Sequence, residues 1–224
     1  MSLKFKGKTK DIYDNEDGTI TLKFKDDVTG SNGVFDPGAN EVGLQIEGMG
    51  NLGLQVTRFF FENLVDIPTH YISSNLETNT MVVENCTVFG QGLEVICRLK
   101  AGGSFIRRYG AYANEGDDLD YFVEFTLKDD LRNDPPITLD ALTQLNILSG
   151  PQGIQLIHQT KEITRQVKAL LKSKGITLHD IKYEFGVVRN EIVLMDEISA
   201  GSMRASKDGT ILNPIELSSL ILEA

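Results

Sequence analysis

Apolar and polar residues alternate along Asp11-Ile12-Tyr13 and again over residues 19–24, on either side of Asn15-Glu16-Asp17-Gly18. Period-two alternation flanking a glycine-containing turn predicts a β-hairpin. The same period returns at Met81-Val82-Val83, over 93–98 and over 121–125, and the last of these is expected to pair with 93–98. Residues 30–53, rich in glycine and holding Pro37, read as loop. They lead into a helix over 54–64, where Val56, Phe59, Phe60 and Leu64 share a face, and Pro68 cannot continue it. The spacing lengthens to helical over 139–147 and over 154–172, where Ile154, Ile157, Ile163, Val167, Leu170 and Leu171 recur before Gly175. Two further strands, 181–185 and 191–196, face each other around Arg189-Asn190. Strands first, then strands mixed with helices, predict an α+β fold with antiparallel sheets rather than regular βαβ winding.

Length and charge narrow the classes. At 224 residues the chain has room for two lobes, expected at 1–90 (β-rich) and 91–224 (α+β). With 22 basic and 32 acidic residues the net charge is −10, which argues against binding a nucleic-acid backbone. No apolar run reaches the length of a membrane span, and the N-terminus lacks the apolar region of a secretory signal. Cys86 and Cys97 are the only cysteines, too few for a disulfide framework, so a cytoplasmic location is expected.

The candidate chemistry sits on the last hairpin. Asp180, Lys182 and Glu184 share one face of a strand, and the partner strand ends in Asp196-Glu197. Carboxylates around a lysine suit Mg²⁺ bound to phosphate, which takes one or two carboxylates and fills its octahedron with phosphate oxygens and water. Ordinary cross-strand ion pairs on a solvent-facing strand would give the same pattern. Gly7-Lys8-Thr9-Lys10 is a lysine-rich turn able to wrap phosphates, and residues 98–108, with Arg98, Gly103 and Ser104, form the main basic cluster. Gly48-Met49-Gly50-Asn51-Leu52-Gly53 spells G-x-G-x-x-G, but a poor strand precedes it and no suitably placed acid follows, against dinucleotide binding. His70, His158 and His179 are scattered, with none at metal-ligand spacing.

Together these segments resemble one family. Gly7-Lys8-Thr9-Lys10-Asp11-Ile12-Tyr13 is similar to the GKxKxxY phosphate loop of the SAICAR synthetases, and Lys25-Asp26-Asp27-Val28-Thr29 to their KDDxT segment. Ile67-Pro68-Thr69-His70, Glu94-Val95-Ile96-Cys97-Arg98, Gly103-Ser104, Lys128-Asp129-Asp130, Asp134-Pro135, Asp180-Ile181-Lys182-Tyr183-Glu184-Phe185-Gly186 and Asp196-Glu197-Ile198-Ser199 follow in the family's order.

The resemblance implies two α+β lobes related to ATP-grasp folds with a nucleotide cleft between them, and an ATP- and Mg²⁺-dependent ligase. That enzyme joins the carboxylate of carboxyaminoimidazole ribotide (CAIR) to the amine of aspartate through an acyl phosphate. It further implies that Gly7, Lys8 and Lys10 hold the ATP phosphates, and that Asp134, Glu184 and Asp196 hold Mg²⁺ with Glu94 close by. Arg98, Ser104, Asp180, Lys182 and Arg204 would bind CAIR, and Glu94, Lys182 and Asp196 would stand at the reacting groups. Its partners would be small-molecule substrates and a second copy of the chain, in a homodimer or other homo-oligomer.

There are departures from the family pattern. A lysine and two asparagines are replaced by Met49, Gly53 and Leu54, Leu99 replaces another asparagine, and Glu84-Asn85 and Ala200-Gly201 differ. An insertion falls near 34–43, and the chain ends shortly after 217–222 without the family's usual closing segment. These keep two alternatives open: a related carboxylate–amine ligase with another substrate pair, and a nucleotide- or metabolite-binding module without turnover.

Overall fold

The structure, a computed structural model, describes residues 1–31, 34–35 and 42–223. In chain order its elements begin with β1 (Ser2–Lys6), β2 (Lys10–Asp14), β3 (Ile20–Phe24), β4 (Asp27–Ser31), β5 (Val34–Phe35), β6 (Val42–Gln45), α1 (Met49–Asn63), β7 (Tyr71–Asn75) and β8 (Thr80–Val83). There follow β9 (Thr87–Val88), β10 (Leu93–Lys100), α2 (Ser104–Tyr109), β11 (Asp118–Leu127), β12 (Pro136–Ile137), α3 (Leu139–Gln144) and α4 (Gly150–Ser173). The last are β13 (Thr177–Val188), β14 (Glu191–Met195), β15 (Met203–Lys207), β16 (Thr210–Ile211) and α5 (Pro214–Leu222). Among the described residues no helix is long and apolar enough to cross a membrane.

The chain divides into two compact units. The first holds residues 1–87, 186–202 and 213–224; the second holds 88–185 and 203–212. This grouping differs from contiguous lobes at 1–90 and 91–224. Residues 213–224 join the first unit because α5 packs on α1, burying Leu217 and Ile221.

In the first unit the expected hairpin is present, with Ile12 opposite Leu22, inside an antiparallel sheet of order β1-β2-β3-β8-β7. Ile20, Leu22 and Phe24 are buried with Met81 and Val83, as period-two strands with one core face require. The glycine-rich stretch is not all loop: β4 pairs with β6, Asp27 opposite Gln45, and β5 pairs with β4. Most of the 34–43 insertion lies outside the described residues.

Helix α1 begins five residues before the expected position. Gly48 turns the chain left-handed at φ 84°, and the Asp26 carboxylate accepts a hydrogen bond from Gly50 N–H at 2.9 Å. The helix is thus capped from 24 residues upstream, where no local signal shows it. The strand before this segment, β6, is antiparallel, so the G-x-G-x-x-G spelling builds no βαβ unit.

The second unit is a sheet of order β12-β11-β10-β13-β15-β16 with α4 on one face. Ser149 and Gln152 form a capping box that starts α4 ahead of Ile154. The buried stripe is Leu156, Ile163, Val167 and Leu171, while Ile154 faces outward, so the helix is rotated from the expected face. Opposite the helix, Val95, Cys97, Ile181 and Tyr183 are 0–1% exposed, and Tyr183 Oη meets Thr164 Oγ1 at 3.1 Å. Burial pushes the Cys97 thiol pKa up, which fits a core residue and not a nucleophile.

Gly50 tests the packing. A Cβ there would lie 2.8 Å from backbone atoms of Lys25, which cannot swing away. Intrinsic propensity favours alanine over glycine inside a helix by about 0.8–1 kcal/mol. Here the sign is expected to reverse, Gly50→Ala lowering stability by roughly 1–3 kcal/mol as an overpacking change. Urea denaturation midpoints decide it, and a stabilised variant contradicts the contact.

Candidate active site

Strand register builds the polar face of the second unit. β10 lies between β11 and β13, so Glu94 faces Glu184, Ile96 faces Lys182 and Arg98 faces Asp180. On the other side Glu94 is opposite Thr126, and Ile96 is opposite Glu124. β15 sets Arg204 opposite Asp180. The odd residues Val95, Cys97, Ile181 and Tyr183 then point into the α4 core, and the charged row points to the other face.

Two carboxylates directly opposite each other repel. Here cations separate them: Lys182 Nζ donates to Glu94 Oε1 at 2.7 Å, and Lys128 Nζ to Glu184 Oε1 at 2.5 Å. Thr126 Oγ1 donates to Glu94 Oε2 at 2.8 Å. Burial disfavours the Lys182 ammonium, but the Glu94 and Glu184 charges outweigh it and its pKa stands above the usual lysine value. Asp134 follows the left-handed Asn133 (φ 57°), is itself left-handed (φ 45°), and accepts the Asp129 N–H at 2.8 Å. Burial raises its pKa, and the negative charges of Glu94 and Asp130 add to that.

Beside this row lies a guanidinium cluster. Arg98 is 1% exposed, a position a charge can hold only if fully paired. Its Nε donates to Glu124 Oε1 at 2.7 Å, its Nη2 to Ser104 Oγ at 2.7 Å, and its Nη1 lies 3.4 Å from both Asp180 Oδ2 and the Gly102 carbonyl. Arg108, one turn beyond Ser104 on α2, binds the other oxygen of Glu124. Arg204 grips Asp180 through Nε at 3.1 Å and Nη2 at 2.9 Å. Gly103, at φ 54°, is required here: an added Cβ would lie 2.0 Å from an Arg204 nitrogen.

In the first unit Gly7 closes the turn between β1 and β2. Its N–H donates to the Lys10 carbonyl at 2.9 Å, and a Cβ would sit 2.3 Å from that oxygen. Lys8 lies in this turn and Lys10 opens β2. Lys10 is 8% exposed and pairs with Asp196 at 3.1 Å and Glu197 at 3.2 Å. Asp196 follows the end of β14 with φ 63°.

The expected residues thus fall into two groups. Glu94, Arg98, Ser104, Asp134, Asp180, Lys182, Glu184 and Arg204 belong to the second unit, and Gly7, Lys8, Lys10 and Asp196 to the first. Within the second unit the carboxylate across the ladder from Glu184 is Glu94, on β10. Among the described residues no three His, Cys, Asp or Glu side chains converge on a metal-sized point. Reading the sequence missed Glu124, Arg108, Thr126 and Lys128 as partners. The one available signal was Glu124's place as the lone acid in an otherwise apolar and aromatic stretch of strand.

The family model of the SAICAR synthetases matches residues 3–213. The chain belongs to the SAICAR synthetase family. It is 58% identical over the full length of both chains to a phosphoribosylaminoimidazole-succinocarboxamide synthase of Clostridium tetani, and 35% identical to that of Thermotoga maritima over 94% of this chain and 88% of the relative. Two solved SAICAR synthetases match with TM-scores of 0.80, at 34% and 30% identity, covering 92% and 93% of this chain and 87% of each of theirs. The second was solved in complex with ADP. Antiparallel sheets with helices, as expected, are the fold of this family. Leu54 and Leu99 are 0% and 6% exposed, so both pack as core residues.

The Arg98–Glu124 pair carries a stability prediction. Arg98→Met leaves Glu124 and Asp180 undercompensated, and breaking a buried pair costs about 3–5 kcal/mol. Adding Glu124→Gln is expected to recover part of that loss, giving a non-additive double-mutant cycle in urea denaturation. Strict additivity would mean the two side chains do not act as a pair.

Proposed function

We propose that this chain forms SAICAR: with ATP, it joins the carboxylate of CAIR to the amine of L-aspartate in purine biosynthesis. The observation that carries this is 58% identity, end to end, with a phosphoribosylaminoimidazole-succinocarboxamide synthase. A ligase for a different substrate pair, raised by Met49, Gly53, Leu54 and Leu99, is not favoured by that relative's name, and neither is a module without turnover.

The chemistry needs activation because a carboxylate is a poor electrophile. An oxygen of the CAIR carboxylate attacks the γ-phosphorus and ADP leaves, giving an acyl phosphate. The aspartate amine then attacks the carbonyl carbon, phosphate leaves, and the amine gives up a proton. Catalysis of this type rests on positioning and charge neutralisation. In this reading Gly7, Lys8 and Lys10 take the ATP phosphates, and Lys182 with Glu94 stands at the reacting carboxylate. Ser104, Asp180, Arg98 and Arg204 organise the ribotide, its phosphate facing the guanidinium cluster.

Magnesium fits the donors present. They are hard carboxylate oxygens, and the negative charge of Glu94 and Asp130 acting on Asp134 is what a divalent cation would offset. Magnesium takes few carboxylates, so a cluster of three is not needed. Asp134, Glu184 and Asp196 are the candidates to supply one or two carboxylates, and the bound ion would neutralise phosphate charge. A cytoplasmic homo-oligomer is the expected form.

ADP release with CAIR and each of a panel of amino acids tests the reading. Aspartate is expected to support turnover well above the rest; equal or no release with aspartate overturns it. Glu184→Gln should lower magnesium-dependent turnover by orders of magnitude with the fold intact, and unchanged turnover would remove Glu184 from the metal.

A further inference from the structure

The segment Ile67-Pro68-Thr69-His70 has no role in the chemistry above, yet it makes three successive contacts along the end of β14. Leu194 N–H donates to the Pro68 carbonyl at 2.9 Å, and His70 N–H donates to the Leu194 carbonyl at 3.0 Å. The His70 ring then continues the series, with Nε2 3.3 Å from the Asp196 carbonyl. A parallel bridge between Thr69 and Leu194 fixes the register of this clamp.

His70 is held for this task. It is 2% exposed, its ring packs edge-on against Phe61 at 5.9 Å between centroids, and its carbonyl accepts from Glu84 N–H at 2.8 Å. A carbonyl oxygen only accepts, so the bond requires the proton on Nε2.

Asp196 needs such a clamp. Its φ of 63° is a left-handed conformation, open to aspartate but strained for a residue with a Cβ unless the surroundings over-determine it. In that conformation its carboxylate meets Lys10 Nζ at 3.1 Å. We propose that His70 is a positioning residue: its Nε2–H holds the Asp196 carbonyl, and so fixes the left-handed turn that aims the Asp196 carboxylate at Lys10 and the nucleotide. This rests on the proposed function, in which Lys10 and Asp196 serve the phosphates.

Two measurements on the full chain test it. The first is nitrogen NMR of histidine-labelled protein. His70 is expected to carry a proton on Nε2, and the Nδ1–H tautomer with Nε2 bare overturns the proposal whether or not any variant folds. The second compares His70→Leu with His70→Gln, whose amide can restore a donor, by ADP calorimetry with magnesium and by substrate KM. Loss of one hydrogen bond to a buried carbonyl predicts ADP binding weakened about tenfold in His70→Leu. The ribotide KM should stay unchanged, and His70→Gln should return most of the affinity. Equal ADP affinity in wild type and His70→Leu, or a parallel rise in both substrate constants, overturns the positioning role. Failure of wild type to bind ADP would instead count against the proposed function, leaving the tautomer to decide His70.

Discussion

A buried guanidinium is the constraint around which the second unit is arranged. Removing a charge from water costs several kcal/mol even after relaxation, and only close counter-charges with well-placed hydrogen bonds offset it. Arg98 is 1% exposed, so it needs carboxylates at fixed distances. Asp180 is supplied by β13 on one side, Glu124 by β11 on the other. That requirement places β10 between those two strands in one register. A slip of one residue would turn Arg98 into the α4 core and Cys97 out of it.

The same alternation separates stability from chemistry. On one face Val95, Ile181 and Tyr183 pack under α4, and on the other stand Glu94, Lys182, Glu184 and Asp180. Groups on a sheet backed by a helix are held rigidly, which is what a reaction driven by positioning requires. Glu94 and Glu184 would oppose the sheet if left alone. Lys182, Lys128 and Thr126 turn that repulsion into a network that pairs both oxygens of Glu94 and Oε1 of Glu184.

Periodicity revealed the elements whose signal is local. The 19–24 strand, the row at 180, 182 and 184, and the turn at Arg189-Asn190 all lie where alternation and turn residues put them. What escaped was set by distant partners. α1 starts early because Asp26 caps it, and β4 pairs with β6 although glycines obscure the pattern. α5 joins the first unit through α1, some 150 residues away in sequence. Candidate site residues were legible as motif members, but their pairings were not. Glu124 is one acid in a strand until the register sets it against Arg98 and Arg108.

The guanidinium cluster also explains why a glycine precedes Ser104. Gly103 leaves room for the Arg204 side chain, which stacks where any other residue's Cβ would stand, and Asp180 holds that arginine from the opposite strand. Three guanidiniums, of Arg98, Arg108 and Arg204, thus share two carboxylates, those of the partly buried Glu124 and the buried Asp180. Arg98 is sealed inside, whereas the Arg204 and Arg108 side chains keep 30% and 24% of their surface exposed. The cluster is one negative charge short, and its open side carries the arginines able to receive it. In the proposed reaction a ribotide phosphate would supply negative charge there, Arg98 acting as the buried keel and the exposed forks beside it making the contact with the anion.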